Sequence, residues 1–235
     1  MMHAVMNTTA AYAWHYPGGK GQNGVYQRLI NQMPPHRVYI ETHLGGGAVM
    51  RHKRPAEINI GVDIDPEVLS RWRGVPKVQL VQADAVTFLR SFRFSGDELV
   101  YADPPYLDAT RRSARTPYRF GYTEDDHVAL LEALKALPCM VMISGYWSPL
   151  YARMLDGWRT MRFPARLRSG EVAEEWVWMN YPEPTALHDY RYLGETFRER
   201  ERIQRRIQRW RKRLEQLPAL ERNAIIASLA SVEGG

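Results

Sequence analysis

The sequence predicts an α/β fold in which a mostly parallel sheet carries helices on both faces, followed by a basic helical tail. The segment 39–50, YIETHLGGGAVM, reads as a short strand, a glycine turn and the start of a helix. Acidic residues then follow three apolar runs, at Asp63, Asp84 and Asp103, in steps of 18, 21 and 19 residues counted from Gly45. Each step is about one strand plus one helix, which is the repeat of a doubly wound α/β sheet.

The glycine turn and the acid that follows it predict a nucleoside-binding site. In a doubly wound sheet, ligands bind beyond the carboxyl ends of the strands. Glycines such as Gly45 and Gly47 let a ligand approach the backbone closely. Asp63 lies 18 residues after Gly45, and an acid at about that distance can accept hydrogen bonds from both hydroxyls of a ribose.

The tetrapeptide Asp103-Pro104-Pro105-Tyr106 directly follows the apolar run 99–102. The two prolines fix φ and favour extended neighbours, so the turn can present the Asp103 carboxylate and the Pro104 carbonyl together. Such a pair can accept the N–H bonds of an exocyclic amine and turn its lone pair toward an electrophilic methyl group. Tyr106 offers a flat face for a base drawn out of a helix. A plain turn after a strand is the alternative interpretation.

These motifs, in this order, resemble the DNA adenine-N6 methyltransferase family. The similarity is to the branch that begins with aromatic-x-Gly-Gly-Lys, here Tyr16 to Lys20, and it spans about residues 14–183. It includes a later strand at 141–144 and a last hairpin at 174–181. Thr42 and His43 stand where the family has proline and an aromatic residue.

The resemblance implies a Rossmann-like, S-adenosylmethionine-dependent methyltransferase sheet and a reaction at N6 of an adenine flipped out of duplex DNA. Asp63 would hold the cofactor ribose and Asp84 its adenine. The implied cofactor-binding residues are Tyr16, Lys20, Glu41, Gly45, Gly47, Asp63 and Asp84. The implied catalytic residues are Asp103, Pro104, Pro105 and Tyr106. An RNA base N-methyltransferase and a catalytically idle nucleic-acid-binding module are the alternatives.

The chain departs from the family in having no room for the usual target-recognition domain. That domain has many tens of residues, whereas Asp84 and Asp103 are 19 residues apart. Recognition would then come from the segment 107–122, which carries Arg111, Arg112 and Arg115, from the loop 166–170, or from the tail. A short or relaxed target sequence is expected.

The tail carries the whole positive excess of the chain. Residues 191–213 contain ten Lys/Arg and three Glu, a local charge of +7 in a chain of net charge +6. Apolar residues at spacings of 4, 3, 4 and 3 form a seam on a helix that Pro218 should end: Ile203, Ile207, Trp210, Leu214 and Leu217. We expect a methyltransferase domain at 1–190 and a basic helical tail at 191–235.

Three roles for the tail are compatible with its sequence. The seam could dock the helix on the catalytic domain, or it could form a short coiled-coil dimer. The arginines could instead grip phosphates of DNA or RNA, in which case the expected nucleic-acid contacts are Arg202, Arg205, Arg206 and Arg209.

Composition favours an intracellular protein. The chain of 235 residues has a single cysteine, Cys139, so it offers no disulfide within itself. It lacks a leader pattern and has no apolar run near 18 residues, so we expect a cytoplasmic protein without membrane contact. Its histidines lack metal-ligand spacing and no metal is expected. Ser144 to Trp147 is interpreted as a loop after a strand.

Overall fold

The structure is a computed structural model that describes residues 19–21, 24–107, 119–166 and 172–232. The described residues contain seven strands that form a single sheet: β1 (Val38–Glu41), β2 (Ile58–Asp63), β3 (Gln79–Gln82), β4 (Glu98–Ala102), β5 (Met140–Gly145), β6 (Arg159–Arg166) and β7 (Val172–Met179). These strands alternate with helices α1 (Val25–Ile30), α2 (Ala48–His52), α3 (Pro66–Trp72), α4 (Ala85–Ser91), α5 (Glu124–Lys135) and α6 (Pro149–Met154).

The strand order is β3-β2-β1-β4-β5-β7-β6. Strands β1 to β5 are parallel, and β7 enters antiparallel between β5 and β6. The first five strands follow the doubly wound order. Because parallel crossovers are right-handed, α2 and α3 cover one face of the sheet and α4 and α5 the other. Contacts between α1 and α2, and between α4 and α5, agree with this arrangement. The predicted α/β fold with helices on both faces is confirmed.

The main core lies between the sheet and the α4–α5 face. Strand β4 is buried along its whole length, as expected of a central strand in a sheet covered on both sides. Val100 and Ile143 pack there with Phe88 of α4 and with Leu130 and Leu134 of α5. Each such side chain contributes about 1.5–3 kcal/mol when it is fully removed from water, so the core fixes the carboxyl ends of the central strands.

The chain divides into two compact units, Met1–Asp189 and Tyr190–Gly235. The second unit contains a short 3-10 turn (Tyr190–Tyr192) and the helices α7 (Phe197–Gln216) and α8 (Ala219–Val232). Thr196 caps α7 by accepting a hydrogen bond from the Glu199 amide at 3.1 Å. The helix ends just before Pro218, as predicted. No α7 side chain is buried, and Trp210 is 58% exposed.

Among the described residues, no helix is both long enough and apolar enough to cross a lipid bilayer.

Candidate active site

A cavity of about 240 Å³ opens at the carboxyl ends of β1, β2 and β4. The structure brings together at this cavity every predicted catalytic and cofactor-binding residue that it describes: Lys20, Glu41, Gly45, Gly47, Asp63, Asp84, Asp103, Pro104, Pro105 and Tyr106. Tyr16 and the predicted nucleic-acid contacts Arg111, Arg112 and Arg115 lie outside the described residues, as does most of the loop 166–170.

The glycine turn is held in place by its neighbours on β2 and α3. Gly45 and Gly47 have φ of 44° and 54°, a region that favours glycine. Asp63 Oδ2 accepts a hydrogen bond from the Gly45 amide at 2.9 Å, and the Trp72 indole donates to the Gly45 carbonyl at 3.0 Å. A Cβ on Gly47 would lie 2.1 Å from the Trp72 ring. The turn is therefore preformed and closely packed.

Asp63 and Asp84, the two acids predicted to hold a nucleoside, also have structural roles in the protein. The second oxygen of Asp63, Oδ1, accepts from the Asp65 amide at 2.9 Å, and burial raises the pKa of this carboxyl, although its backbone N–H partners oppose the shift. Asp84 caps α4, because its Oδ1 accepts from the Thr87 amide at 2.8 Å and from the Thr87 hydroxyl at 3.0 Å. A carboxylate has about four acceptor positions, so these bonds leave acceptor capacity at the cavity.

Glu41 ties the end of β1 to α2. It is 3% exposed, and its Oε2 accepts from the Tyr39 hydroxyl at 3.2 Å and from the Met50 amide at 3.1 Å. Burial raises the pKa of Glu41 to about 8, even though the hydrogen bond from Tyr39 favours the charged form. The predicted role of Glu41 in holding a cofactor stays a prediction beside this structural one.

Because the pKa of Glu41 is raised in the folded protein, the free energy of unfolding should fall as the pH rises. The folded state holds the extra proton between the ordinary pKa of 4.5 and the folded value of about 8. In that window the free energy of unfolding falls by at most about 1.4 kcal/mol per pH unit. Glu41→Gln should remove this component of the slope, as measured by urea unfolding from pH 5 to 9. Glu57→Gln, an exposed acid of the same unit, is the control and should leave it unchanged.

The turn Asp103–Tyr106, which was predicted to be catalytic, is joined to β5 through Ser144. Among the described residues, the Asp103 carboxylate has two polar contacts, and Oδ1 makes both of them. This oxygen lies 2.8 Å from Lys20 Nζ and accepts a hydrogen bond from the Ser144 hydroxyl at 2.8 Å. The Tyr101 and Ser144 hydroxyls are also 2.8 Å apart. Ser144 and Gly145 belong to β5, which agrees with the predicted strand at 141–144 and shows that the interpretation of 144–147 as a loop was wrong for these two residues. Parallel pairing of Ala102 with Ile143 places Ser144 beside Asp103.

A buried ion cluster surrounds Lys20, and sequence reasoning missed one of its members. Lys20 Nζ lies 2.9 Å from Oε1 of Glu175 on β7, and the Tyr106 hydroxyl donates to Glu175 Oε2 at 3.2 Å. Burial alone would lower the pKa of Lys20, but Asp103 and Glu175 outweigh it and raise this pKa well above its usual value. Burial raises the pKa of Glu175, although Lys20 opposes the shift.

The ring of Tyr106 is stacked on a second aromatic ring. Tyr146, which follows β5, has its centroid 4.0 Å from that of Tyr106 at an interplanar angle of 8°. Lys20 donates to the Tyr106 hydroxyl at 3.2 Å. The hydroxyl and one face of the ring are thus both held before any base is bound. Tyr146 is a second residue that the sequence analysis did not single out.

His43, which replaces an aromatic residue of the resembling family, joins the cavity wall through hydrogen bonds. Its Nδ1 lies 3.0 Å from the Thr42 hydroxyl, and its Nε2 lies 2.9 Å from the hydroxyl of Tyr122. Burial lowers the pKa of His43 to about 3, and His127 adds to the shift. The neutral His43 side chain therefore links the residues just before α5 to the end of β1 by hydrogen bonds.

No protein-family model matches the chain, and no curated protein matches its sequence. Solved structures with some similarity include a conserved hypothetical protein from Streptococcus pyogenes (15% identity, TM-score 0.49, covering 71% of this chain and 100% of that one). SMU.1697c from Streptococcus mutans, a "putative methyltransferase" in complex with SAH, has 12% identity and TM-score 0.46 over 65% and 94% of the two chains. An rRNA methylase from Streptococcus thermophilus has 11% identity and TM-score 0.44 over 66% and 92%. All three TM-scores are below 0.5, so these similarities assign no function.

Proposed function

We propose that this protein is an S-adenosylmethionine-dependent methyltransferase that acts on N6 of an adenine flipped out of DNA. The observation that carries the proposal is the position of the Asp103–Tyr106 turn. It follows β4 at the carboxyl edge of the sheet and lines the same cavity as the glycine turn, Asp63 and Asp84. The predicted amine acceptor and the predicted nucleoside-binding residues thus line one cavity.

The residues at the cavity fit the proposed cofactor. The glycine turn exposes backbone at positive φ, and the two carboxylates retain acceptor capacity toward hydroxyl and amino groups. Glu41, Gly45, Gly47, Asp63 and Asp84 would hold the cofactor. S-adenosylmethionine supplies an electrophilic methyl group on a positively charged sulfur.

The chain itself supplies alignment and a polar clamp. Asp103 Oδ2 and the Pro104 carbonyl accept the N–H bonds of the target amine, which localises the nitrogen lone pair and directs it at the methyl group. The clamp is preorganised because Lys20 and Ser144 fix Oδ1 of the same carboxylate at 2.8 Å. Preorganised polar groups and correct placement of reactants are large terms in catalysis.

Methyl transfer is tested directly with tritiated S-adenosylmethionine. Duplex DNA, single-stranded DNA and structured RNA are offered separately, and the labelled nucleoside is identified by mass after digestion. The expected labelled nucleoside is N6-methyl-2′-deoxyadenosine. Label in RNA alone would favour the RNA alternative, which the short connection between β3 and β4 suits equally well. The absence of label in any nucleic acid, with cofactor bound, would contradict the proposal.

The arginines of α7 should bind phosphates. Replacing Arg202, Arg205, Arg206 and Arg209 by Gln keeps helix propensity and removes four charges. For each phosphate contact, log affinity falls by roughly 0.9 when the salt concentration rises tenfold. Loss of four such contacts should therefore reduce the slope of log affinity against log salt concentration by up to about 3.6. Fluorescence anisotropy of a labelled random-sequence duplex between low and moderate salt measures it.

The matched control removes four exposed arginines from the first unit instead: Arg71, Arg73, Arg90 and Arg93. It changes net charge equally, so an equal flattening in both variants would mean that α7 has no special role. An unchanged slope in the α7 variant would leave the tail with one of its structural roles.

A further inference from the structure

Glu175 is a buried carboxylate that neither the glycine turn nor the tetrapeptide explains. It is 1% exposed and lies on β7, where strand alternation places it on the face opposite Trp176 and Trp178. Trp178 belongs to the α4–α5 core. Glu175 therefore lies on the other face of the sheet, where Lys20 and Tyr106 meet it.

Burying a carboxylate here is unfavourable unless the charge is paired. An unpaired buried charge is strongly destabilising, and even a well-paired one is often no more stable than apolar residues of the same size. Stability alone thus gives little reason for Glu175. Its two oxygens divide between two partners, since Oε1 lies 2.9 Å from Lys20 Nζ and Oε2 accepts from the Tyr106 hydroxyl at 3.2 Å.

The second carboxylate changes what Lys20 does to Asp103. Lys20 Nζ is 2.8 Å from Asp103 Oδ1 and 2.9 Å from Glu175 Oε1, so one ammonium group is shared by two carboxylates. With Glu175 absent, Lys20 would neutralise Asp103 alone. A fully neutralised carboxylate is a weaker acceptor for an amine N–H, because charge-assisted hydrogen bonds are the stronger ones.

We propose that Glu175 is a positioning residue of the reaction. It shares the Lys20 ammonium with Asp103 and holds the Tyr106 hydroxyl, which keeps Asp103 able to accept an amine N–H and keeps the Tyr106 ring in place for a base. This inference rests on the proposed methyltransferase function and adds to it a residue that acts through Lys20 and Tyr106 rather than on the substrate.

Glu175→Gln tests the proposal, because it keeps the shape and an acceptor oxygen but removes the charge. We expect kcat for methyl transfer to fall by about 30-fold or more, while KM for S-adenosylmethionine stays within about threefold. Glu174→Gln, at the exposed neighbouring acid, is the matched control and should behave as the wild type. Turnover in Glu175→Gln within about threefold of this control would overturn the proposal.

Lys20→Met and the double variant Lys20→Met/Glu175→Gln keep the test decisive if Glu175→Gln does not fold. The double variant leaves Asp103 as the one charged group of the cluster, 18% exposed and still bonded by the Ser144 hydroxyl, so it avoids the two neighbouring carboxylates without a cation that Lys20→Met alone would leave. If Glu175 acts through Lys20, the single Lys20 variant and the double variant should turn over equally. Because Gln keeps an acceptor oxygen for the Tyr106 hydroxyl, a further loss in the double variant would overturn the action through Lys20.

Chemical labelling gives a readout that does not depend on activity. Brief acetic anhydride treatment followed by peptide mass spectrometry should label Lys20 several-fold more in Glu175→Gln than in Glu174→Gln, relative to exposed Lys135. Unchanged protection of Lys20 would overturn the proposal. If the wild type transfers no methyl group to any nucleic acid, the proposed function fails, and the labelling still decides whether Glu175 holds Lys20.

Discussion

Asp103→Ala should reduce methyl transfer below detection, a loss of at least about 10³-fold, while cofactor affinity stays within a few-fold. In the proposed reaction, the substitution removes the acceptor that localises the amine lone pair. It should not unfold the protein, because Lys20 keeps Glu175 as a partner at 2.9 Å and the buried charges that remain are balanced. Tritium transfer measures the first effect, and calorimetry with S-adenosylmethionine measures the second.

Asp97→Ala is the matched control, since this exposed acid lies next to β4 at the end opposite Asp103 and its side chain is 3.5 Å from that of Arg37. It should retain full turnover. A folded Asp103→Ala protein that methylates at the rate of this control would remove Asp103 from the catalytic role. Loss of cofactor binding in Asp103→Ala would instead mean that the carboxylate serves the cofactor.

Gly47→Ala should strongly destabilise the protein and weaken cofactor binding. The left-handed backbone at φ of 54° costs about 1–2 kcal/mol for an L-residue. The added Cβ would also lie 2.1 Å from the Trp72 ring, and overpacking of this kind costs typically about 1–3 kcal/mol. Urea unfolding should therefore show a loss of roughly 2–5 kcal/mol in the free energy of unfolding.

Gly74→Ala separates the two effects. Gly74 has φ of 81°, and a Cβ there would have no atom within 4 Å, so only the backbone cost applies. The difference between the losses in free energy of unfolding of the two variants measures the cost of the steric overlap with the Trp72 ring. Equal destabilisation would mean that the Trp72 ring moves aside without penalty and that the turn is less rigid than its contacts indicate.

The sequence was informative where function depends on consecutive residues. The strand ends at Asp63, Asp84 and Asp103 could be located because each acid directly follows an apolar run and the spacing matches one strand plus one helix. The helix boundary before Pro218 could be predicted for a similar reason, since proline cannot continue a helix.

Glu175 and Ser144 could not be found in this way. Their roles depend on strand order: β7 enters antiparallel beside β5, and β5 lies beside β4. Each residue is far from Asp103 along the chain, 72 positions for Glu175 and 41 for Ser144, and no local pattern specifies such pairing. The one available signal was a pair of adjacent acids, Glu174 and Glu175, in the otherwise apolar strand 172–179. Strand alternation puts one of the two on each face of the sheet, and an acid on a covered face requires a partner for its charge.

The stacked rings of Tyr106 and Tyr146 have a consequence for which bases gain entry. Their centroids are 4.0 Å apart, which leaves no gap for a third ring, so a base that uses the covered face of Tyr106 must displace Tyr146. Binding of such a base replaces the contact between Tyr106 and Tyr146 with a contact between Tyr106 and the base. The free energy gained is therefore small and does little to offset the cost of removing the base from a paired helix. Adenines that are mismatched, unpaired or at strand ends are easier to extract. Under the proposed function, the free protein would therefore favour bases that have already left the stack, a form of selectivity that requires no reading of sequence.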